Sequence, residues 1–166
     1  MAQPNIVTFL HHQDAFTCLG ILNTVTDNSD FGDIWRHFFE AGGYELILPF
    51  AADPHPLNVW TIDAAGVKTY FQCLPVGPVD VLPVGYTLRS YPAADYWVLT
   101  HEWLPTHEEA ISFGIKFCWD QRETVSIPEG YVRFDAPGSP VHIIEKEHTD
   151  TPDGSRYEFW IPLRKV

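Results

Sequence analysis

Residues 27–43 read Asp27-Asn28-Ser29-Asp30-Phe31-Gly32-Asp33-Ile34-Trp35-Arg36-His37-Phe38-Phe39-Glu40-Ala41-Gly42-Gly43. Short polar residues open the stretch. Their side-chain oxygens accept from the free backbone N–H groups of a helix start. Phe31, Ile34, Trp35, Phe38 and Phe39 then recur at i, i+3, i+4, i+7 and i+8, which is one face of a helix. Gly42-Gly43 supplies the turn that ends it. On the N-terminal side, Ile6–Leu10 and Phe16–Val25 are apolar and β-branched, hence strand-like. On the C-terminal side come the short apolar segment Tyr44–Phe50 and a proline-rich turn from Asp53 to Pro56. Leu57–Asp63 and Thr69–Leu74 follow as a hairpin around Ala64-Ala65-Gly66.

The second half echoes the first. Tyr86–Tyr91 and Tyr96–Trp103 are extended segments about Pro92. Thr106-His107-Glu108-Glu109 fits a capping box, with Thr106 as N-cap and Glu109 reaching back. Ile111, Ile115, Cys118 and Trp119 form a helical stripe. Tyr131–Phe134, Val141–Glu147 and Tyr157–Leu163 read as strands, with a turn at Pro152-Asp153-Gly154. The order is strand–helix–strand–strand, twice. This predicts an α+β fold in a single domain, residues 1–166. Its two pseudo-symmetric modules, about 1–83 and 84–166, share one antiparallel sheet layer with two helices on one face. A groove between the modules is left for a ligand.

The composition narrows the function. The chain has 166 residues, ten of them basic and 22 acidic, for a net charge of −12. Phosphate binding needs a basic face, so nucleic acid is not an expected partner. An anionic membrane surface is excluded on the same ground. The acids are spread over both halves, with no acidic tail. Ile6–Leu10 is too short for a signal peptide and lacks a basic flank, and no run suits a membrane span. Cys18, Cys73 and Cys118 are far apart and form no CxxC pair, which predicts small buried thiols in a reducing cytoplasm. Six Trp and seven Tyr exceed what a core of this size requires.

Several segments together resemble a known family, the GyrI-like small-molecule-binding domain, which also serves as the effector-binding domain of multidrug-responsive transcription activators. The most specific part is the end, Tyr157-Glu158-Phe159-Trp160-Ile161-Pro162-Leu163. The family closes with a Glu, an apolar or aromatic pair, and Ile-Pro-Leu or similar. Ile34-Trp35-Arg36-His37-Phe38 looks like its first helix. Val59–Asp63 with Tyr70-Phe71 sits where a strand pair is expected, and Tyr91–Val98 resembles the entry to its second module. The chain departs from the pattern too. Thr61, not glycine, follows Trp60, and Ala94-Asp95 replaces the commoner Gly-Lys. No helix-turn-helix precedes the domain, so the resemblance implies a stand-alone binder.

Candidate site residues come from two arguments. As a strand, Val141, Ile143, Glu145 and Glu147 share one face. Two acids beside two apolar residues mark either a strand leaving the core or a pocket wall. The resemblance implies a glutamate at the bottom of a drug pocket, on Glu145 or Glu147. An unpaired carboxylate in an apolar pocket is costly, and a cationic ligand relieves that cost. The alternative for Glu145 is a solvated edge charge paired to Lys146 or Arg133. Glu158 and Trp160 share a face by the same alternation, and the resemblance places both near the ligand. The alternative for Glu158 is an ion pair with Arg156 or Arg164. Trp60, Tyr70, Trp97, Trp103, Trp119 and Trp160 are candidate walls, since rings stack on planar ligands and attract cations. Trp60 and Trp160 lead that group, and Trp35 reads as core.

The histidines show no HxxxH or HExxH spacing, and His101 with His107 makes only a weak metal candidate, so no metal or cofactor is expected. No G-x-S-x-G elbow occurs. Three functions remain open. The first is a binder that senses or sequesters hydrophobic, cationic aromatic compounds. The resemblance also allows a hydrolase of cyclopropane-bearing genotoxic compounds, with Glu145 or Glu158 as general base. The third is a gyrase-modulating protein partner.

Overall fold

The computed structural model describes residues 3–166, with Asp150 described through its backbone alone. The first two residues of the first module lie outside the described residues. The strands are β1 (Ile6–Gln13), β2 (Phe16–Val25), β3 (Leu57–Ile62), β4 (Lys68–Pro75) and β5 (Thr87–Tyr91). They continue as β6 (Ala94–His101), β7 (Tyr131–Arg133), β8 (Ile143–Thr151) and β9 (Gly154–Lys165). Helix α1 is Phe31–Glu40. Helix α2 runs through an α-turn at His107–Glu109, a π-helical stretch at Ala110–Ile115 and a second α-helical stretch at Lys116–Gln121.

The helix boundaries sit where the sequence signals put them. Asp30 caps α1 by accepting from the backbone N–H of Asp33. Gly42 and Gly43 close it, their N–H groups bonding the carbonyls of Phe39 and Phe38, with Gly43 at φ +57°. Few residues other than glycine accept that left-handed conformation without strain. Thr106 and Glu109 form the capping box of α2. The segment after α1 is a series of turns ending in a 3₁₀ turn at Leu48–Phe50.

All strand pairings are antiparallel, in the order β1-β6-β9-β8-β3-β4-β2-β5, with β7 added beside β9. The first strand of each half pairs with the other half. β1 lies against β6, and β5 lies against β2. In a flat sheet, β1 and β2 would stand about six strand spacings apart, roughly 29 Å. Yet only Asp14 and Ala15 join them, a link that spans ~11 Å at most. The sheet therefore curls until its ends approach. Pro92 and Ala93 join β5 to β6 under the same constraint.

The two halves meet where β3 pairs with β8, and Asn58 stands directly opposite Glu145 at this join. Their hairpins are in matching register. Trp60 pairs with Tyr70 in the first and Glu147 with Tyr157 in the second, and Pro75 and Pro162 lie equally far beyond. Asn58 in one half thus occupies the place of Glu145 in the other.

The inside of the curl is a single core drawn from both halves, including Cys18, Val59, Phe71, Tyr96, Val98, Ile144 and Trp160. The helix-bearing face carries two separate clusters. Leu19, Ile47 and Leu74 of the first half cluster with Tyr86 from the start of the second, and Leu99, Cys118, Ile143, Phe159 and Ile161, all of the second half, form the other. Between them the sheet floor is left uncovered. All three thiols are buried. Val141 departs from the expected alternation. β8 begins only at Ile143, so Val141 sits in the preceding loop and packs into the core on the opposite face from Ile143 and Glu145.

Candidate functional site

The uncovered floor is a cavity of roughly 460 Å³ between the two helices. Phe31, Trp35 and Phe39 of α1 form one wall, and His107, Ile111 and Ile115 of α2 face them. The floor carries Asn58, Trp60, Tyr70, Glu145, Glu147 and Tyr157, with Tyr44 at one end. Strand alternation puts these side chains together, because β3, β4, β8 and β9 present every second residue to the helices.

Glu145 is 7% exposed. The indole N–H of Trp119 donates to its Oε2 at 2.8 Å, and that of Trp60 donates to its Oε1 at 3.2 Å. The Asn58 amide, directly opposite on β3, adds a further favourable interaction with the charged carboxyl. Burial pushes the Glu145 carboxyl above its usual range, and these donors offset only part of the rise. Every one of the three is neutral. They solvate the charge without cancelling it.

Glu147, two residues on, is equally buried. Its Oε1 lies 3.4 Å from His107 Nε2 and accepts from Thr149 Oγ1 at 3.2 Å. His107 Nε2 is also 2.9 Å from the hydroxyl of Tyr157, whose titration burial pushes far up. One cavity wall thus brings a carboxylate, an imidazole and a phenol together.

The aromatic rings form a connected wall. Trp60 lies 4.7 Å from Tyr70, 5.6 Å from Phe31 and 5.4 Å from Trp119, centroid to centroid. Phe31 meets Tyr70 edge-on at 5.2 Å, and Trp35 stacks on Phe39 at 5.9 Å. Edge-to-face and offset contacts of this kind fix ring orientation. Trp119 stands behind Trp60, on an adjoining hollow of roughly 420 Å³ that shares Phe31 and Trp60 with the main cavity.

The sequence candidates therefore divide. Glu145, Glu147, Trp60, Tyr70 and Trp119 come together about the cavity. Glu158 and Trp160 face the other side of the sheet. There Glu158 accepts from His148 Nε2 at 2.7 Å and from Trp160 Nε1 at 3.0 Å. Burial would raise the Glu158 carboxyl, but these two partners outweigh it and hold it below its usual range. Trp160 packs in the single core against Tyr96 and lines a separate hollow beside Lys146 and Asp53. Trp97 packs under α2, away from the cavity. Trp103 stacks with Arg156, whose guanidinium carbon lies 4.3 Å from the ring centroid.

Trp35, read as core from the helix stripe, is a cavity wall. An amphipathic stripe looks the same whether it covers a floor or overhangs one. Asn58 carries no local signal, and nothing local places His107 or Tyr157 on a ligand cavity. His101 is fully engaged, with Nδ1 donating to the Glu102 carbonyl at 2.7 Å and Nε2 accepting from the Tyr157 N–H at 2.9 Å. Burial pushes its titration down, toward the neutral ring. Among the described residues no group of three or more His, Cys, Asp or Glu is placed to hold a metal ion, and no helix is long and apolar enough to cross a membrane.

The fold is shared with solved structures of low sequence identity. SAV2435 bound to tetraphenylphosphonium superposes with a TM-score of 0.71 at 12% identity, over 95% of this chain and 94% of that one. An integron cassette protein from the mobile metagenome of Vibrio cholerae matches at 0.60 and 12% identity, over 96% and 99%. The C-terminal domain of EcmrR matches at 0.56 and 11% identity, over 97% and 99%. The fold is that of a GyrI-like domain, as the sequence resemblance implied. No family model and no curated protein matches the chain.

Proposed function

We propose that the protein binds hydrophobic, cationic aromatic small molecules in the cavity between α1 and α2, with Glu145 as counter-charge. The observation that carries this reading is the buried Glu145 carboxylate, held by neutral donors alone on the floor of an aromatic chamber. Burying a charge without an opposite charge is expensive, and a bound cation removes that expense. The rings add cation–π attraction of about 0.5–2 kcal/mol each. SAV2435, which shares the fold, was solved with a lipophilic cation bound, and that supports the ligand class. The protein would sense or sequester such compounds.

Tryptophan fluorescence quenching by tetraphenylphosphonium tests the reading directly. Glu145→Gln is expected to weaken binding by about 2–5 kcal/mol, the range for removing one partner of a buried charge pair. Glu158→Gln, on the far side of the sheet, is expected to leave it unchanged. Equal affinity in wild type and Glu145→Gln overturns the counter-charge role.

One observation favours a second reading as a hydrolase. His107 stands between Glu147, 3.4 Å away, and the Tyr157 hydroxyl, 2.9 Å away, on the cavity wall, and such groups can take a proton from water. Turnover of a cyclopropane-bearing aromatic compound, with a product heavier by one water, would establish it. Binding without turnover across a panel of such compounds rejects it.

A further inference from the structure

The polar residues of the sheet floor are aligned in one direction. Asn23 on β2, Gln72 on β4, Asn58 on β3 and Glu145 on β8 form a row crossing the sheet beneath the helices. Gln72 pairs with Asn58, and Asn58 with Glu145. The row is deeply buried from Gln72 onward, with Gln72 at 0% and Asn58 at 4% exposure.

The orientation of each amide follows from its ends. Asn23 Nδ2 donates to the backbone carbonyl of Tyr70 at 2.9 Å, an acceptor that cannot be reversed. The same nitrogen donates to Gln72 Oε1 at 3.0 Å. That turns the Gln72 NH₂ onward, and Gln72 Nε2 has no hydrogen-bond partner. Asn58 Oδ1 also has none, while Asn58 stands directly opposite Glu145 and its amide favours the charged carboxyl. A carboxylate only accepts, so Asn58 must direct its NH₂ at Glu145. A buried donor on Gln72 and a buried acceptor on Asn58 are therefore left on directly paired residues, facing the same side. Side chains at such positions are near neighbours. Every amide dipole in the row points its positive end toward Glu145.

We infer that Asn58 and Gln72, backed by Asn23, are positioning residues for the binding site: a one-way row of amide dipoles that favours the charged form of Glu145 where a cation would sit. This rests on Glu145 being the counter-charge and adds how that charge survives burial. Without such donors the carboxyl would take up a proton and lose its attraction for the ligand. Aligned amide dipoles act more strongly on a charge in a low-dielectric interior than in water. The other titratable groups around Glu145 are Glu147 on its own strand, Tyr70 on β4, Tyr157 on β9, and His107 and Cys118 on α2, with Tyr44 at the cavity end. On the wall that α1 contributes, Phe31, Trp35 and Phe39 present rings alone.

The test is a carbon-13 NMR titration of the Glu side-chain carboxyls without ligand, the Glu145 signal being assigned by its loss in Glu145→Gln. Gln72→Met keeps the side-chain volume, removes the amide and leaves every atom bonded to Glu145 in place. It is expected to move the Glu145 midpoint up by about one pH unit, a tenfold gain in proton affinity. Asn58→Leu is expected to move it further. With tetraphenylphosphonium, whose charge does not titrate, the variants should lose affinity at neutral pH and recover it at alkaline pH. A Glu145 midpoint unchanged in Gln72→Met, whatever happens to thermal stability, overturns the inference and leaves the amides as packing. Should Asn58→Leu fail to fold, Gln72→Met still decides. If wild-type protein does not bind tetraphenylphosphonium, the binding function fails on its own, and the ligand-free titration still judges the row.

Discussion

Trp119 on α2 donates its indole N–H to Glu145 on β8 at 2.8 Å, so a residue of the helix, outside the main cavity, holds the charge on the cavity floor. The same ring packs edge-on against Trp60 and against Phe159, 5.0 Å away. Trp119→Phe deletes the donor and keeps much of the packing. A hydrogen bond to a charged group contributes about 1.5–3 kcal/mol. The variant is therefore expected to bind tetraphenylphosphonium at least ~10-fold more weakly at neutral pH, with an unchanged circular dichroism spectrum. Fluorescence titration of the remaining tryptophans measures this.

Glu145 should also leave a signature in stability. Its folded-state carboxyl lies above its unfolded value, chiefly through burial. The folded protein then binds the proton more tightly, so this group's contribution to stability is fully present below the unfolded value and is lost as pH rises through the folded one. Ligand affinity runs the opposite way, rising as the carboxyl ionises. Thermal melts of wild type and Glu145→Gln, from about pH 4 to 9, are expected to converge at the acid end and to differ in slope above it. Parallel curves would show that Glu145 titrates normally.

The opposite sign is expected at Asp53. Burial alone would raise its carboxyl, but the His55 backbone N–H, Lys146 and the His55 ring pull it down to about 2. Lys146 Nζ stands 3.0 Å from it. A lowered carboxyl contributes stability above its unfolded value and loses it as pH falls through about 2. The group is partly solvated, so the contribution is small, below ~1 kcal/mol after screening. Lys146→Met is expected to lower the melting temperature slightly at neutral pH and not at all near pH 2, with tetraphenylphosphonium binding unaffected. Lys146 points away from the Glu145 cavity, so a strong loss of binding would contradict the assignment of faces.

The elements set by local chemistry were legible in the sequence. Asp30, Thr106 and Glu109 announced the helix starts, and the spacing of Phe31, Trp35 and Phe39 gave one helical face. Glu145 stood out because an acid interrupted an apolar alternation. The face of β9 was another matter. Alternation places Glu158 with Trp160 and Tyr157 with Phe159, but which pair meets the helices depends on pairing with β8 and β6. A one-residue change of parity exchanges the two sets. The exchange of β1 and β5 between the halves is likewise a consequence of the curled sheet. His107, Tyr157 and Glu147 meet only because α2, β9 and β8 pack together, and no segment carries that information alone.

The π-helical stretch of α2 supplies the last expectation. At Gly114 the helix backbone lies against the ring of His101, and a Cβ built there would stand 2.3 Å from Cε1 and Nε2. The ring cannot retreat, since both its nitrogens are hydrogen-bonded, to the Glu102 carbonyl and the Tyr157 N–H. Gly114→Ala must therefore push α2 outward. Overpacking of this kind costs about 1–3 kcal/mol, more than alanine's better helix propensity returns. Because Ile111 and Ile115 of the same stretch line the cavity, the shift should reach the site and weaken tetraphenylphosphonium binding as well. Adding His101→Ala removes the obstacle at the expense of the ring's own hydrogen bonds. The double variant is expected to be less destabilised than the sum of the single variants, since residues in contact couple. Chemical denaturation of the four proteins measures that coupling, and strict additivity would mean that α2 does not rest on His101.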